Sequence, residues 1–253
     1  AKLAALGYLG GGDGGGSGAD PKDHIAEIDR LFRASTLAAE GKPDEAIAIL
    51  EELVRENPRL TDAWTRLGAL HQERGETAAA IAAFRRAIEA APQLAREHAL
   101  TLANLYLETG ELDLAREHAE LGVTAHPGTA RVLLAAIAAG DGRLDEALRL
   151  LDEAETAANG PLFGLDAIRG DVLARLGRGE EAEAAFAREL RNFPENRDAY
   201  AKLALLYAAT GRLDRARGIL EILVRADPSP AARSLAANTL EAVGDAEGAA
   251  RFR

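Results

Sequence analysis

The stretch TDAWTRLGALHQERGETAAAIAAFRRAIEAAPQL, residues 61–94, decides the fold. Apolar residues recur at helical spacing on both sides of Gly75, and Pro92 stops the second of the two segments. The glycine returns along the chain at intervals that are, by subtraction, 34, 35, 32, 35, 34 and 33 residues. Self-similarity at one nearly constant period predicts stacked structural repeats. The recurring glycines are Gly41, Gly75, Gly110, Gly142, Gly177, Gly211 and Gly244.

Each repeat reads as two helices that meet at a close crossing. An alanine lies five residues after every recurring glycine, as Ala80 does after Gly75, and small residues such as Gly68 occupy the first segment. The chain is rich in Ala, Leu, Glu and Arg, which are strong helix formers, and only 4% of it is aromatic. These features predict an all-α fold built of antiparallel helix pairs.

The segment 61–94 resembles a tetratricopeptide repeat. It carries Trp64, Leu67 and Gly68 on the first helix and Phe84 on the second, with His71 in the place where that family has a tyrosine. The resemblance implies a right-handed superhelical solenoid over residues 21–253, with six full repeats and a partial seventh. The repeats are expected at about 27–60, 61–95, 96–127, 128–162, 163–196, 197–229 and 230–253.

The fourth repeat departs most from the pattern. Gly140 precedes Gly142 closely, and Asn159-Gly160-Pro161 replaces the single closing proline of the other repeats. We expect a short first helix and a local irregularity there.

The resemblance also implies a binding surface. In tetratricopeptide arrays the first helices line a concave groove, and certain positions of each repeat face it. The residues at those positions here are Leu31, Ser35, Thr65, Ala69, Gln72, Leu100, Asn104, Leu107, Val132, Asp171, Arg175, Ala201 and Leu205.

These groove residues restrict the partner. Family members that bind the C-terminal carboxylates of chaperones use Lys, Arg and Asn at such positions. Among the fifth and ninth residues of each repeat here, only Asn104 fits that pattern. A groove rich in Ala and Leu is expected to bind an apolar or mildly basic protein segment. The alternative is that the small residues serve only to let neighbouring helices pack.

The composition excludes other classes of partner. The net charge is −11 and no stripe of Lys and Arg is present, so nucleic acid is not expected to bind. No apolar run approaches the ~20 residues that a membrane span needs.

Enzymatic chemistry is not expected either. The five histidines, His24, His71, His98, His118 and His126, form no metal-ligand pair, and no cysteine is present. Neither a catalytic residue, nor a cofactor, nor a metal site is predicted, and Trp64 is expected to pack between helices.

Residues 1–20 precede the first repeat and divide into an apolar tail and a glycine-rich segment, Gly10–Gly18, that reads as a flexible linker. Leu3-Ala4-Ala5-Leu6-Gly7-Tyr8-Leu9-Gly10 resembles the end of the catalytic domain in bacterial sulfatase-like hydrolases, some of which continue into a tetratricopeptide array. This resemblance implies an accessory domain of an exported hydrolase, hence an extracytoplasmic location. The function expected from the repeats is a stand-alone cytoplasmic scaffold that binds a peptide or partner domain in its groove. The accessory domain, used for oligomerisation or for positioning a substrate or partner, is the alternative.

The absence of methionine and the start at Ala1 favour a fragment of a longer chain over removal of an initiator methionine. Without a preceding domain, residues 3–9 would leave apolar surface exposed. These residues are therefore expected to dock on the array of their own chain or on a neighbouring copy, the second being self-association through residues 3–9.

Overall fold

The computed structural model describes residues 21–253, and the predicted tail and linker at 1–20 lie outside this range. Every regular element within it is helical. The predicted all-α fold is confirmed, whereas the number of repeats stays a prediction.

The helices fall into two compact units that divide after Pro92. The first unit contains α1 (Pro21–Ala39), α2 (Pro43–Glu56), α3 (Thr61–Glu73) and α4 (Thr77–Ala90). A short 3-10 turn, Pro92–Ala95, leads to the second. The second contains α5 (Ala99–Thr109), α6 (Leu112–Gly122), α7 (Pro127–Gly140), α8 (Leu144–Ala157), α9 (Leu165–Arg175), α10 (Gly179–Asn192), α11 (Arg197–Ala209), α12 (Leu213–Ala226), α13 (Pro230–Ala242) and α14 (Ala246–Ala250).

The recurring glycines form the turns inside the helix pairs. All seven have φ between +70° and +82°, the left-handed conformation that glycine adopts without steric cost. At Gly41, the amide of Gly41 donates to the carbonyl of Ala38, and the amide of Lys42 donates to that of Leu37. These two bonds satisfy carbonyls that a helix end would otherwise leave unpaired. The glycine spacing thus sets where one helix ends and its partner begins.

The fourth pair differs from the expectation. Helix α7 has 14 residues, so the predicted short helix is wrong. A methyl group added at Gly140 would meet nothing within 4 Å, which fits its place at the open end of the helix. The irregularity lies one helix later, where Ala158 is extended and Gly164 has φ +80° before α9 begins.

Residue sizes match across the helix crossings, at a constant separation of sixteen residues by subtraction. Where the second helix carries phenylalanine, the first carries glycine: a Cβ at Gly68 would lie 2.8 Å from the ring of Phe84. Where the second helix carries leucine, the first carries alanine. The buried alanine–leucine pairs are Ala34 with Leu50, Ala135 with Leu151 and Ala204 with Leu220.

Candidate functional site

In the first unit, two of the predicted groove residues border a pocket between α1, α2 and α3. The pocket has a volume of about 240 Å³ and is lined mainly by small and apolar side chains. Ser35 and Ala69, both predicted for the groove, line it. The full lining is Ala34, Ser35, Ala38, Leu50, Arg66, Ala69 and Leu70.

Arg66 is the charged residue of this pocket, and sequence reasoning missed it. Its Nη1 donates to Ser35 Oγ, and the Ser35 hydroxyl donates in turn to the carbonyl of Leu31, at 2.9 Å. These bonds place a guanidinium beside an apolar cavity. Arg66 follows the predicted groove residue Thr65 directly, but its own repeat position was not among those expected to face the groove.

The other predicted residues of the first unit differ in accessibility. Leu31 is buried, Thr65 is half-buried and Gln72 is exposed. Leu31 belongs to the hydrophobic core of this unit, where it is 8% exposed. Ser35, Ala69 and Gln72 are therefore more accessible to a partner than Leu31.

In the second unit, several predicted groove residues are engaged with the protein itself. Val132 and Ala201 are buried. Leu100 lies over Gly122 of α6, where an added Cβ would come within 2.2 Å of Leu100 Cδ2. Leu107 is half-buried, and Leu205 is 41% exposed.

The polar members of the predicted groove set in the second unit have partners on first helices. Asn104 Nδ2 donates to Glu108 Oε1 at 2.9 Å. Arg175 Nη1 donates to the carbonyl of Ala139 at 2.6 Å and lies 3.9 Å from Asp171. The Ala139 carbonyl, in the last turn of α7, also accepts from the amide of Gly142, so the arginine adds a cationic donor where a cation is favoured. This guanidinium links α7 to α9.

The repeats match a known family. Models described as tetratricopeptide repeat match residues 37–100 and, in a second set of matches, residues 100–161, 169–231 and 203–252. The chain belongs to the tetratricopeptide repeat family. Proteins of this family bind other proteins. A search of curated protein sequences found no match to this chain.

Solved tetratricopeptide structures share the fold. A tetratricopeptide repeat protein from Parabacteroides merdae matches with a TM-score of 0.66 and 18% identity, over 90% of this chain and 91% of its own. The Cut9-Hcn1 structure matches with a TM-score of 0.64 and 17% identity, over 85% of this chain and 43% of its own. Pseudomonas aeruginosa pilF matches with a TM-score of 0.51 and 21% identity, over 78% of this chain and 90% of its own. At these identities the likeness shows the fold alone.

Two residues of the repeat signature have structural partners here. His71, in the tyrosine position, has Nδ1 at 2.6 Å from Glu76 Oε2, and this contact lowers the pKa of the Glu76 carboxyl. Trp64 packs against the core of the first unit and donates from Nε1 to the carbonyl of Pro58 at 2.9 Å. Trp64 therefore packs as the tetratricopeptide signature predicted.

A buried carboxylate in the second unit was missed by sequence reasoning. Glu189, on α10, is 1% exposed and accepts from the amide of Gly164 at 2.8 Å and that of Ala167 at 3.3 Å. Asn196 Nδ2 donates to the same carboxylate at 2.7 Å. Glu189 thereby caps the start of α9 from a neighbouring helix, where a negative charge is favoured. The residues around Glu189 resemble those around exposed glutamates of other helices, so the local sequence does not predict its burial.

The described residues contain no group of three or more His, Cys, Asp or Glu that could hold a metal ion. Within residues 21–253, no helix has the length and apolarity that crossing a membrane requires.

Proposed function

We propose that this tetratricopeptide repeat protein is an interaction scaffold that binds a partner peptide at the pocket of its first unit. The observation that carries the proposal is the apolar cavity of about 240 Å³ with Arg66 on its lining. Such a cavity takes one apolar side chain, and a convergent polar group orients what enters.

The chemistry of the pocket favours a particular peptide. Arg66 presents a fork of N–H donors, of which one is engaged by Ser35. A carboxylate or carbonyl next to the inserted side chain would accept from the others. We therefore propose an apolar residue adjacent to an acidic one as the recognised feature, where the sequence predicted an apolar or mildly basic segment.

The test is a selection from a phage-displayed random peptide library, followed by fluorescence polarisation with a selected peptide. Ala69→Trp fills the pocket from an exposed position and should weaken binding by tenfold or more, which is about 1.4 kcal/mol. Ala78→Trp, on an exposed face of α4, is the matched control and should leave binding unchanged.

Arg66→Gln separates the polar contribution from the apolar one. This variant should bind peptides that contain an acidic residue more weakly than wild type does. It should bind analogues in which that residue is amidated about as well as wild type does. Failure to enrich any peptide, or equal affinity of wild type and Ala69→Trp, would refute the proposal.

A second candidate function is that of an accessory domain of a sulfatase-like hydrolase. Residues 3–10 support it through their resemblance to the end of that catalytic domain, and they lie outside the described residues. Sequencing the gene upstream of the codon for Ala1 tests it. A sulfatase-type domain supports the candidate, and a start codon immediately before Ala1 excludes it.

A further inference from the structure

Helix α1 carries an apolar stripe that faces away from the core. Ile25, Ile28 and Phe32 lie at spacings of three and four residues, on one face of the helix. They are 61%, 50% and 74% exposed. Burying such side chains contributes about 1.5–3 kcal/mol each, so their exposure indicates a surface with an occupant.

Counted from the recurring glycines, no other first helix has three large apolar residues at the corresponding positions. Immediately before and within α3, 34 residues later by subtraction, these positions hold Arg59, Asp62 and Arg66. Immediately before and within α11 they hold Glu195, Asp198 and Lys202. The repeat itself therefore does not demand apolar residues here, and the stripe is specific to α1.

The segment before α1 contains apolar residues at a compatible spacing. Leu3, Leu6 and Leu9 repeat every three residues, with Tyr8 beside the last of them. In helical conformation these leucines would share one face, and that face would match the stripe in chemical character.

The chain between them has a suitable length. Gly10–Gly18 contains nine residues, and a glycine-rich coil of that length spans about 15–18 Å on average. Phe32 lies eleven residues after Pro21, which corresponds to about 16 Å along the helix. Residues 3–9 can therefore reach the whole stripe of their own chain, at the high effective concentration that a short tether provides.

We propose that residues 3–9 fold back on α1 of the same chain and cover Ile25, Ile28 and Phe32. Among residues 21–253 no repeat packs on this face of α1, and a helix of a repeat stack buries its apolar faces only against neighbours. Leu3, Leu6 and Leu9 supply that cover intramolecularly.

The absence of cysteine allows a direct test. A spin label on Lys2→Cys should remove most of the amide NMR signal intensity of residues 25, 28 and 32. The amide of Ala78, on α4, is the reference. Adding Leu6→Asp with Leu9→Asp should restore the lost signals. Phe32→Asp should also restore the signals of residues 25 and 28, and Phe32 is exposed enough for the fold to tolerate it.

A mixed sample identifies which chain provides the cover. Spin-labelled chains without ¹⁵N are mixed with ¹⁵N-labelled chains that carry no spin label. Signal loss only when label and ¹⁵N are on one chain supports the proposal. Signal loss in the mixed sample shows that a second copy is the occupant and overturns the proposal. The proposal is also overturned if the amides of residues 25, 28 and 32 lose no more signal than the amide of Ala78.

Discussion

The exchange of Gly170 and Phe186 for Ala and Leu tests the size matching at the helix crossings. A Cβ built on Gly170 would lie 2.9 Å from three ring carbons of Phe186, whereas carbon atoms in contact prefer about 3.5–4.0 Å. The ring is 1% exposed and has little room to move. Gly170→Ala therefore forces overpacking, which costs about 1–3 kcal/mol.

A second glycine calibrates the helical propensity of the added methyl group. Gly218 lies inside α12, and a Cβ there would meet nothing within 4 Å. Gly218→Ala should stabilise the protein by about 0.8–1.0 kcal/mol. The free energies of unfolding of the two variants should thus differ by about 1–3 kcal/mol, with Gly170→Ala the less stable.

Phe186→Leu should relieve the clash. Alone it removes buried ring atoms and should cost about 1 kcal/mol. In the Phe186→Leu variant, Gly170→Ala recreates the alanine–leucine combination that Ala135 and Leu151 already form in a buried cluster of the same chain. The double variant should therefore be more stable than the sum of the single changes by about 1–3 kcal/mol.

Urea unfolding followed by far-ultraviolet circular dichroism measures these differences. The urea dependence of the unfolding free energy must stay constant across the variants for the comparison to hold. Equal stabilities of Gly170→Ala and Gly218→Ala, or an equal cost of Gly170→Ala with phenylalanine and with leucine at 186, would refute the size-matching argument.

Three further predictions concern polar groups of the second unit. Glu189→Leu leaves buried donors unpaired and should cost about 3 kcal/mol or more in urea unfolding, while Glu195→Gln, an exposed control, should change stability by less than about 0.5 kcal/mol. The pKa of Asp245 is lowered to about 2 by hydrogen bonds from Arg217 and from the amide of Gly248. Its stabilising contribution is therefore complete above about pH 4 and is lost as the pH falls through 2, so wild type and Asp245→Asn should converge in thermal stability over that range. Burial lowers the pKa of His98 below its ordinary value. The melting temperature should thus fall as the pH drops below about 6.5, and His98→Leu should weaken this dependence; an unchanged pH profile would contradict the assignment.

Much of the fold could be predicted because its signals are local. A glycine that ends one helix is followed at a fixed distance by the alanine of the next, so Gly75 and Ala80 mark a turn without knowledge of distant contacts. The error at α7 arose from treating Gly140 as a helix breaker. Nothing crowds that glycine, and the helix continues through it.

The candidate site was predicted less completely. Repeat positions identified Ser35 and Ala69, which do line the pocket of the first unit. They did not identify Arg66, because its role depends on where its long side chain meets α1. Nor did they distinguish buried Val132 from exposed Leu205, since burial depends on what the neighbouring helices place above each position.

The sequence by itself determined that this protein is a series of helix pairs and where each pair turns, because helix formation and glycine turns depend on residues close together in the chain. The tertiary structure alone decided which side chains meet. Glu189 pairs with amides more than twenty residues away, and Phe186 fills the space left by Gly170. Such partners are set by distances in space, which a repeat period does not encode.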